Sequence, residues 1–297
     1  MDFRTLSWAE GGCGVVLIVL VLAAVILIFF ISGQTKAAQG PIRNWVCYYG
    51  TQEKPEAYNR FDLVVLDGFT SPVPAHPGDG KPLLLGYVSV GEVAESAPYW
   101  DTVRNKSFLV KKNDTWQSWI VDLRDRQWQT LLLERLMPAV AARGFDGFFL
   151  DTLDSVLFLT HGRQGADFAG MEKAAVAFVK KLRKQYPEKL IAVNRGLPIL
   201  AKIAPYIDYI VIENLYSQCH KEKGCHRVDE ATQNVLLEQV SSGLRGTSGV
   251  TVLTIDYASP SQEALAREAI AYSRKKGFVP YVGSYLLDEI FFYTLEK

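Results

Sequence analysis

Eight short apolar runs, separated by helix-period segments or by long connections, limit what this chain can fold into. They read WVCYYG (45–50), LVVLDG (63–68), LLLGYVSVG (83–91), FDGFFLD (145–151), KLIAVNR (189–195), YIDYIVIEN (206–214), TVLTIDY (251–257) and FVPYVGS (278–284). All are rich in β-branched and aromatic residues and apolar on both faces, as parallel strands covered by helices are. Helix-period segments follow at 126–142 (with Trp128, Leu131, Leu132, Leu136 and Val140), 166–185, 229–242 and 259–276. This alternation predicts parallel βαβ units, and eight of them over residues 42–297 predict an α/β fold of the (β/α)8 TIM-barrel type. An open doubly wound sheet is disfavoured, because no glycine-rich phosphate-binding turn follows the first strand. Two early connections depart from the pattern. Residues 71–82 hold Pro72, Pro74, Pro77 and Pro82, and proline lacks the amide that a regular helix needs. Residues 92–120 read as a long loop, a common place for function.

Ahead of the barrel, residues 14–31 (GVVLIVLVLAAVILIFFI) carry no charge and no proline. As a helix they rise about 27 Å, close to the hydrocarbon thickness of a bilayer. A cleavable signal peptide has a shorter apolar region behind a positive leader, whereas here the leader holds Asp2, Arg4 and Glu10. The sequence therefore predicts one N-terminal transmembrane helix within residues 1–33, as an anchor or uncleaved signal. The competing readings are cleavage near Ala37 or Ala38 and a buried core helix. Residues 34–41 suit a flexible linker.

The 32 basic and 32 acidic residues balance, which argues against a nucleic-acid partner, since phosphate neutralisation needs clustered cationic excess. A hydrophobic content of 48% excludes a disordered chain.

In a barrel of this kind, chemistry gathers where the strands end. The residues there are Asp67, Glu92, Asp151, Asp154, Asn194 with Arg195, Glu213, Asn214, Tyr216, Asp256, Tyr257, Ser284 and Tyr285. Some would simply cap helices, Asp154 and Ser284 above all. Asp151 and Glu213 are harder to explain that way, because each closes an apolar strand where an unpaired carboxylate is costly. Two carboxylates facing one cavity suit glycosidic bond cleavage. Tyr48, Tyr87, Tyr99, Trp100, Tyr216, Tyr257 and Tyr285 are candidates for stacking on sugar rings.

At these residues the chain resembles a known family. GYVSVGEVAESAPYW (86–100), GFDGFFLDTLD (144–154), VNRG (193–196) and IENLYS (212–217) are similar to glycoside hydrolase family 114, the endo-α-1,4-polygalactosaminidases, over nearly the whole chain beyond Trp45. The resemblance implies a (β/α)8 fold and a catalytic domain that acts extracytoplasmically, which the apolar segment would anchor to the membrane. Its substrate would be galactosamine-rich exopolysaccharide, and it would work without a cofactor. It further implies Asp151 as nucleophile and Glu213 as acid/base, two roles that spacing leaves interchangeable. Substrate contacts are expected from Asp67, Tyr87, Glu92, Asp154, Asn194, Tyr216, Asp256, Tyr257 and Tyr285, the acids pairing with sugar ammonium groups. Retention of anomeric configuration is the expected outcome. Two other readings stay open: a non-catalytic polysaccharide-binding barrel in an exopolysaccharide synthesis or export assembly, and a hydrolase of another polysaccharide. Serine-nucleophile chemistry lacks its GxSxG turn.

Cys219 and Cys225 close the loop CHKEKGC and read as a disulfide in an oxidising compartment. The paired Cys-His dipeptides offer a Cys2His2 metal site as the lesser alternative. Cys13 lies at the membrane edge without a lipobox, Cys47 lies inside the first strand, and His76 and His161 read as surface-loop residues.

Overall fold

The computed structural model describes residues 41–52, 54–74, 82–160 and 165–295. The predicted anchor, its linker up to residue 40, Cys13, His76, His161 and most of the proline-rich connection lie outside them. Among the described residues, no helix is long and apolar enough to cross a membrane.

All eight runs are strands of one parallel sheet: β1 Trp45–Tyr48, β2 Leu63–Asp67, β3 Leu83–Ser89, β4 Gly147–Asp151, β5 Leu190–Asn194, β6 Tyr209–Glu213, β7 Thr251–Tyr257 and β8 Val279–Gly283. Their spatial order is their sequence order, as right-handed crossovers around a barrel require. β1 and β8 meet mainly through side chains. The Trp45 indole donates to the Val279 carbonyl at 3.0 Å, and its ring lies 5.8 Å from that of Tyr281. The result is a nearly closed barrel of the TIM type.

Three aspartates tie its amino-terminal end. Asp62, Asp146 and Asp208 immediately precede β2, β4 and β6. Their carboxylates accept from the amides of Arg43, just ahead of β1, and of Leu84 and Ile191, on the strand before, at 2.8, 2.7 and 2.9 Å. Their carbonyls accept from the amides of Leu83, Leu190 and Thr251, on the strand after. The residues leading into β2, β4 and β6 thus clamp both neighbours, and Asp208 also binds Arg183 at 2.6 Å.

The crossovers are less regular than the strands. Residues 126–142 form one helix broken by a π-turn at Leu132–Leu136, where the Met137 amide reaches back five residues to Leu132. Pro138 explains the break, because it offers no amide to continue the i−4 ladder. The helices Met171–Gln185, Glu230–Gly243 and Glu263–Lys275 lie within the predicted segments to within a residue. The long connection after β3 is ordered. It forms a short helix, Trp100–Val103, and a three-stranded antiparallel ribbon of Glu92–Ala94, Leu109–Asn113 and Ser118–Val121. After β6 a two-stranded ribbon pairs Ser217–His220 with Gly224–Arg227, and the expected Cys219–Cys225 disulfide links its strands.

Side chains alternate across each strand. On β4, Phe148 packs outward on Tyr186, 5.0 Å between rings, while Phe149 faces inward beside Tyr87 at 6.2 Å. The same alternation delivers Asp151 to the interior at the carboxyl end.

Candidate active site

Five side chains meet where β3 to β7 end. The Asn194 side-chain amide donates to Asp151 Oδ1 at 3.0 Å and to Glu213 Oε2 at 2.8 Å. The Tyr87 hydroxyl donates to Asp151 Oδ2 at 2.9 Å, and that of Tyr257 to Glu213 Oε1 at 2.7 Å. Each carboxylate therefore has one tyrosine and one share of a common amide. Because a single nitrogen makes both inner bonds, the two oxygens it holds lie no farther apart than 3.0 and 2.8 Å end to end. One amide thus draws the two carboxyls together, as a pair acting on a single glycosidic bond requires.

Burial pushes the Asp151 carboxyl up to about 7, and the negative charges of Glu213 and Asp154 push the same way. Asp151 so placed keeps a proton to near neutrality beside a second carboxyl, an arrangement in which one member donates while the other attacks or stabilises. Tyr87 and Tyr257 titrate well above the usual phenol range, through burial first and then through the adjoining acids, so they act as donors.

The backbone turns sharply behind each of the three central residues. Thr152, Arg195 and Asn214, next after Asp151, Asn194 and Glu213, have φ of 66, 58 and 59°. This left-handed region is unusual outside glycine and is strained for a β-branched threonine. Thr152 is held there by its hydroxyl, which accepts from the Gly91 amide at 2.8 Å and meets the Ser89 hydroxyl at 2.9 Å. A Cβ at position 91 would collide with the Thr152 carbonyl, so the close approach requires glycine.

The remaining predicted residues divide. Asp154 lies near the pair, raised by burial and by the Glu213 charge and opposed by Arg195, which it binds at 3.0 Å. Tyr285 stands at the rim, where its ring stacks at 5.9 Å with that of Trp116. The structure corrects four others. Asp67 caps its own turn, accepting from the amides of Phe69 and Thr70 at 2.9 and 2.6 Å. Glu92 is buried in the ribbon, where Asn113 and the Ser118 hydroxyl bind it. Asp256 and Tyr216 point away from the mouth. The Asp256 carboxylate, fully buried, accepts from the Tyr216 and Ser217 amides at 2.7 and 2.9 Å, and burial pushes it up to about 7. The Tyr216 hydroxyl binds Glu268 at 2.9 Å. Among the other aromatics, Tyr48 packs outward on Tyr58, and Tyr99 packs edge-on against Phe69.

Sequence reasoning missed Tyr49, whose ring packs edge-on against Tyr87 at 4.9 Å. Period-two alternation from the buried Cys47 would have found it. It also missed Trp116, which no strand-end rule reaches. Cys219 and Cys225 are joined, so they offer no thiolates to a metal, and among the described residues no His, Cys, Asp and Glu group is arranged to hold one.

Known proteins resemble this chain over most of its length. The model of glycoside-hydrolase family GH114 matches residues 31–297. The glycoside hydrolase domain of PelA from Pseudomonas aeruginosa superposes with a TM-score of 0.71 at 26% identity, over 84% of this chain and 97% of that one. Aspergillus fumigatus Ega3, solved in complex with galactosamine, shares the fold with a TM-score of 0.60 at 14% identity, over 86% and 96% of the two chains. A Deinococcus radiodurans protein described as uncharacterized is 28% identical over 243 residues, 77% of this chain and 75% of that one.

Proposed function

The chain belongs to glycoside hydrolase family GH114 and is a glycosidase, and from that premise we propose that it cleaves an α-1,4-linked, galactosamine-rich exopolysaccharide at internal positions, using Asp151 and Glu213. The observation that carries this reading is the Asn194 amide bonded to both carboxylates, which brings them together at one point of the mouth. The galactosamine bound in the Ega3 structure supports an amino-sugar substrate. So does the third acid of the mouth, Asp154, a partner for an ammonium group.

Asp151 attacks the anomeric carbon and Glu213 protonates the leaving oxygen, then activates water to release the glycosyl ester. Asp151 is the more confined of the two by charge, with both Glu213 and Asp154 acting on it. In the reactive form the pair's one proton sits on Glu213, which gives it to the leaving oxygen as the poorly solvated Asp151 anion attacks. Tyr87 and Asn194 orient that anion, and Tyr257 and Asn194 orient Glu213. The apolar segment at 14–31 and the Cys219–Cys225 disulfide support a membrane-anchored enzyme with an extracytoplasmic catalytic domain.

The test is incubation of the purified chain with partly deacetylated and fully N-acetylated α-1,4-galactosamine polymer. Oligosaccharides should form faster from the deacetylated form, with the α-anomer released first in proton NMR. Asp151→Asn and Glu213→Gln should each lose at least about 1,000-fold in kcat. Near-normal cleavage by either variant overturns the site, and equal rates on both polymers overturn the amino-sugar preference. A 5-fluoro glycosyl donor should leave its adduct on Asp151, and an adduct on Glu213 would reverse the two roles.

A further inference from the structure

The carboxyl end of the barrel carries two aromatic rings that the chemistry above does not use. Trp116 sits at the tip of the ribbon after β3, between Leu109–Asn113 and Ser118–Val121, and is 56% exposed. Tyr285 lies two residues beyond β8. Their rings lie 5.9 Å apart and within 29° of parallel. Since β1 and β2 lie between β8 and β3 in the sheet, this insertion reaches past the ends of two strands to touch the β8 loop.

Both sides of the contact are braced. Gln117 turns the tip at φ 48°, its side-chain amide donating to the Asp114 carbonyl at 2.6 Å, and its own carbonyl accepts from the Glu95 amide at 2.9 Å. On the β8 side, the Ser284 hydroxyl bonds Asp288, and the Leu287 carbonyl accepts from the Tyr49 amide at 2.8 Å. Tyr49 in turn packs on Tyr87, which holds Asp151. The pair is therefore coupled to the catalytic mouth through a short run of contacts. Its flanks carry three exposed acids: Asp114, which precedes Trp116 by two residues and lies 4.0 Å from the Lys112 ammonium, and Asp288 and Glu289, which follow Tyr285 with no basic residue between.

A large ring face held open to water beside carboxylates suits a hexosamine, whose apolar face stacks on the ring while its ammonium meets the acids. We propose that Trp116 and Tyr285 form a remote subsite that stacks a sugar ring of the polysaccharide chain away from the scissile bond. This subsite makes the enzyme favour long chains. The inference rests on the polysaccharide reading above, and the acidic flanks favour a cationic sugar over a protein partner.

The test compares kcat/KM on a long polymer and on the shortest oligomer the wild-type chain cleaves, for wild type, Trp116→Ala, Tyr285→Ala and Trp116→Phe. The loss on the long polymer should exceed the loss on the short oligomer by about 10-fold for each alanine variant. Trp116→Phe should recover most of it. In the Asp151→Asn background, long oligomers should shift the Trp116 emission and short ones should not. Equal losses at both lengths, or none on the long polymer, overturn the subsite. If the wild-type chain leaves galactosamine polymer intact, the substrate reading fails, and the same length comparison on the polysaccharide it does cleave decides the subsite. A change in oligomeric state on Trp116→Ala, with no length dependence, would assign the rings to a second copy of the chain.

Discussion

At the amino-terminal end of the barrel, Asp62, Asp146 and Asp208 accept hydrogen bonds from backbone amides of the neighbouring strand. At the carboxyl end, Asp151 and Glu213 accept from side chains and stand against each other, with a third acid nearby. The chemical group is the same and its surroundings differ. A backbone amide at a strand start needs an acceptor whether or not anything binds, so losing the carboxylate leaves a poorly satisfied donor. At the mouth the cost runs the other way, because confining like charges destabilises the folded chain until a cationic substrate or a shared proton relieves it.

That contrast breaks or stands on substitution. Asp208→Ala removes the acceptor of the Ile191 amide and the anionic partner of Arg183, whose side chain is only 18% exposed and keeps only carbonyl acceptors. Urea unfolding should show a loss of about 3 kcal/mol. Asp151→Asn keeps the shape and removes a confined charge, so its stability at pH 8 should equal or exceed wild type while activity disappears. A comparable loss of stability in both variants would show that the two ends do not differ as argued.

The next largest effect is in the pH dependence of stability. Asp256 is fully buried and pushed up to about 7, against about 3.9 in an unfolded chain. The folded state thus keeps its proton while the unfolded state releases it. Stability should be greatest below about pH 4 with respect to this group, and should fall as pH rises to about 7. Between pH 5 and pH 8 the group accounts for a loss of about 2 kcal/mol. Asp151 adds a smaller share, since it is half-buried at the mouth. Asp256→Asn keeps an acceptor for the Tyr216 and Ser217 amides and should abolish most of that loss in denaturation curves at the two pH values. An unchanged difference would mean that Asp256 does not titrate there.

Much of this was legible in the sequence, for identifiable reasons. The strands were readable because burial on both faces leaves an uninterrupted apolar run. Asp151, Asn194, Glu213 and Tyr257 were readable because a polar residue closing such a run has few other places to go, and Tyr87 because it interrupts one. The errors arose where facing decides. Asp256 and Tyr257 are adjacent, and alternation sends one into the wall and the other into the mouth, as it does for Tyr48 and Tyr49. Choosing between them requires the strand's register, which its neighbours set. Glu92 looked like a strand end because its partners, Asn113 and Ser118, come from a ribbon that the sequence presented as a loop. The aspartates at 62, 146 and 208 were invisible as clamps because their donors lie on other strands, and only the sheet order brings them together.

The smallest expected effect sharpens the contrast within the mouth. Asp154 reaches Asp151 by charge alone, holding its proton more tightly. Asp154→Asn removes that repulsion and frees Arg195 from its partner, and both changes favour an ionised pair. The alkaline limb of kcat/KM, where the pair loses its shared proton, should move to lower pH by about half a unit. Asp67 provides the control. It also ends a barrel strand, but its carboxylate is tied to the turn at Phe69 and Thr70. Asp67→Asn should leave the limb in place. If both variants move it equally, the mouth acts through net charge rather than through the local arrangement of Asp151, Asp154 and Glu213. If only Asp154→Asn moves it, the third acid tunes the proton of the Asp151–Glu213 pair.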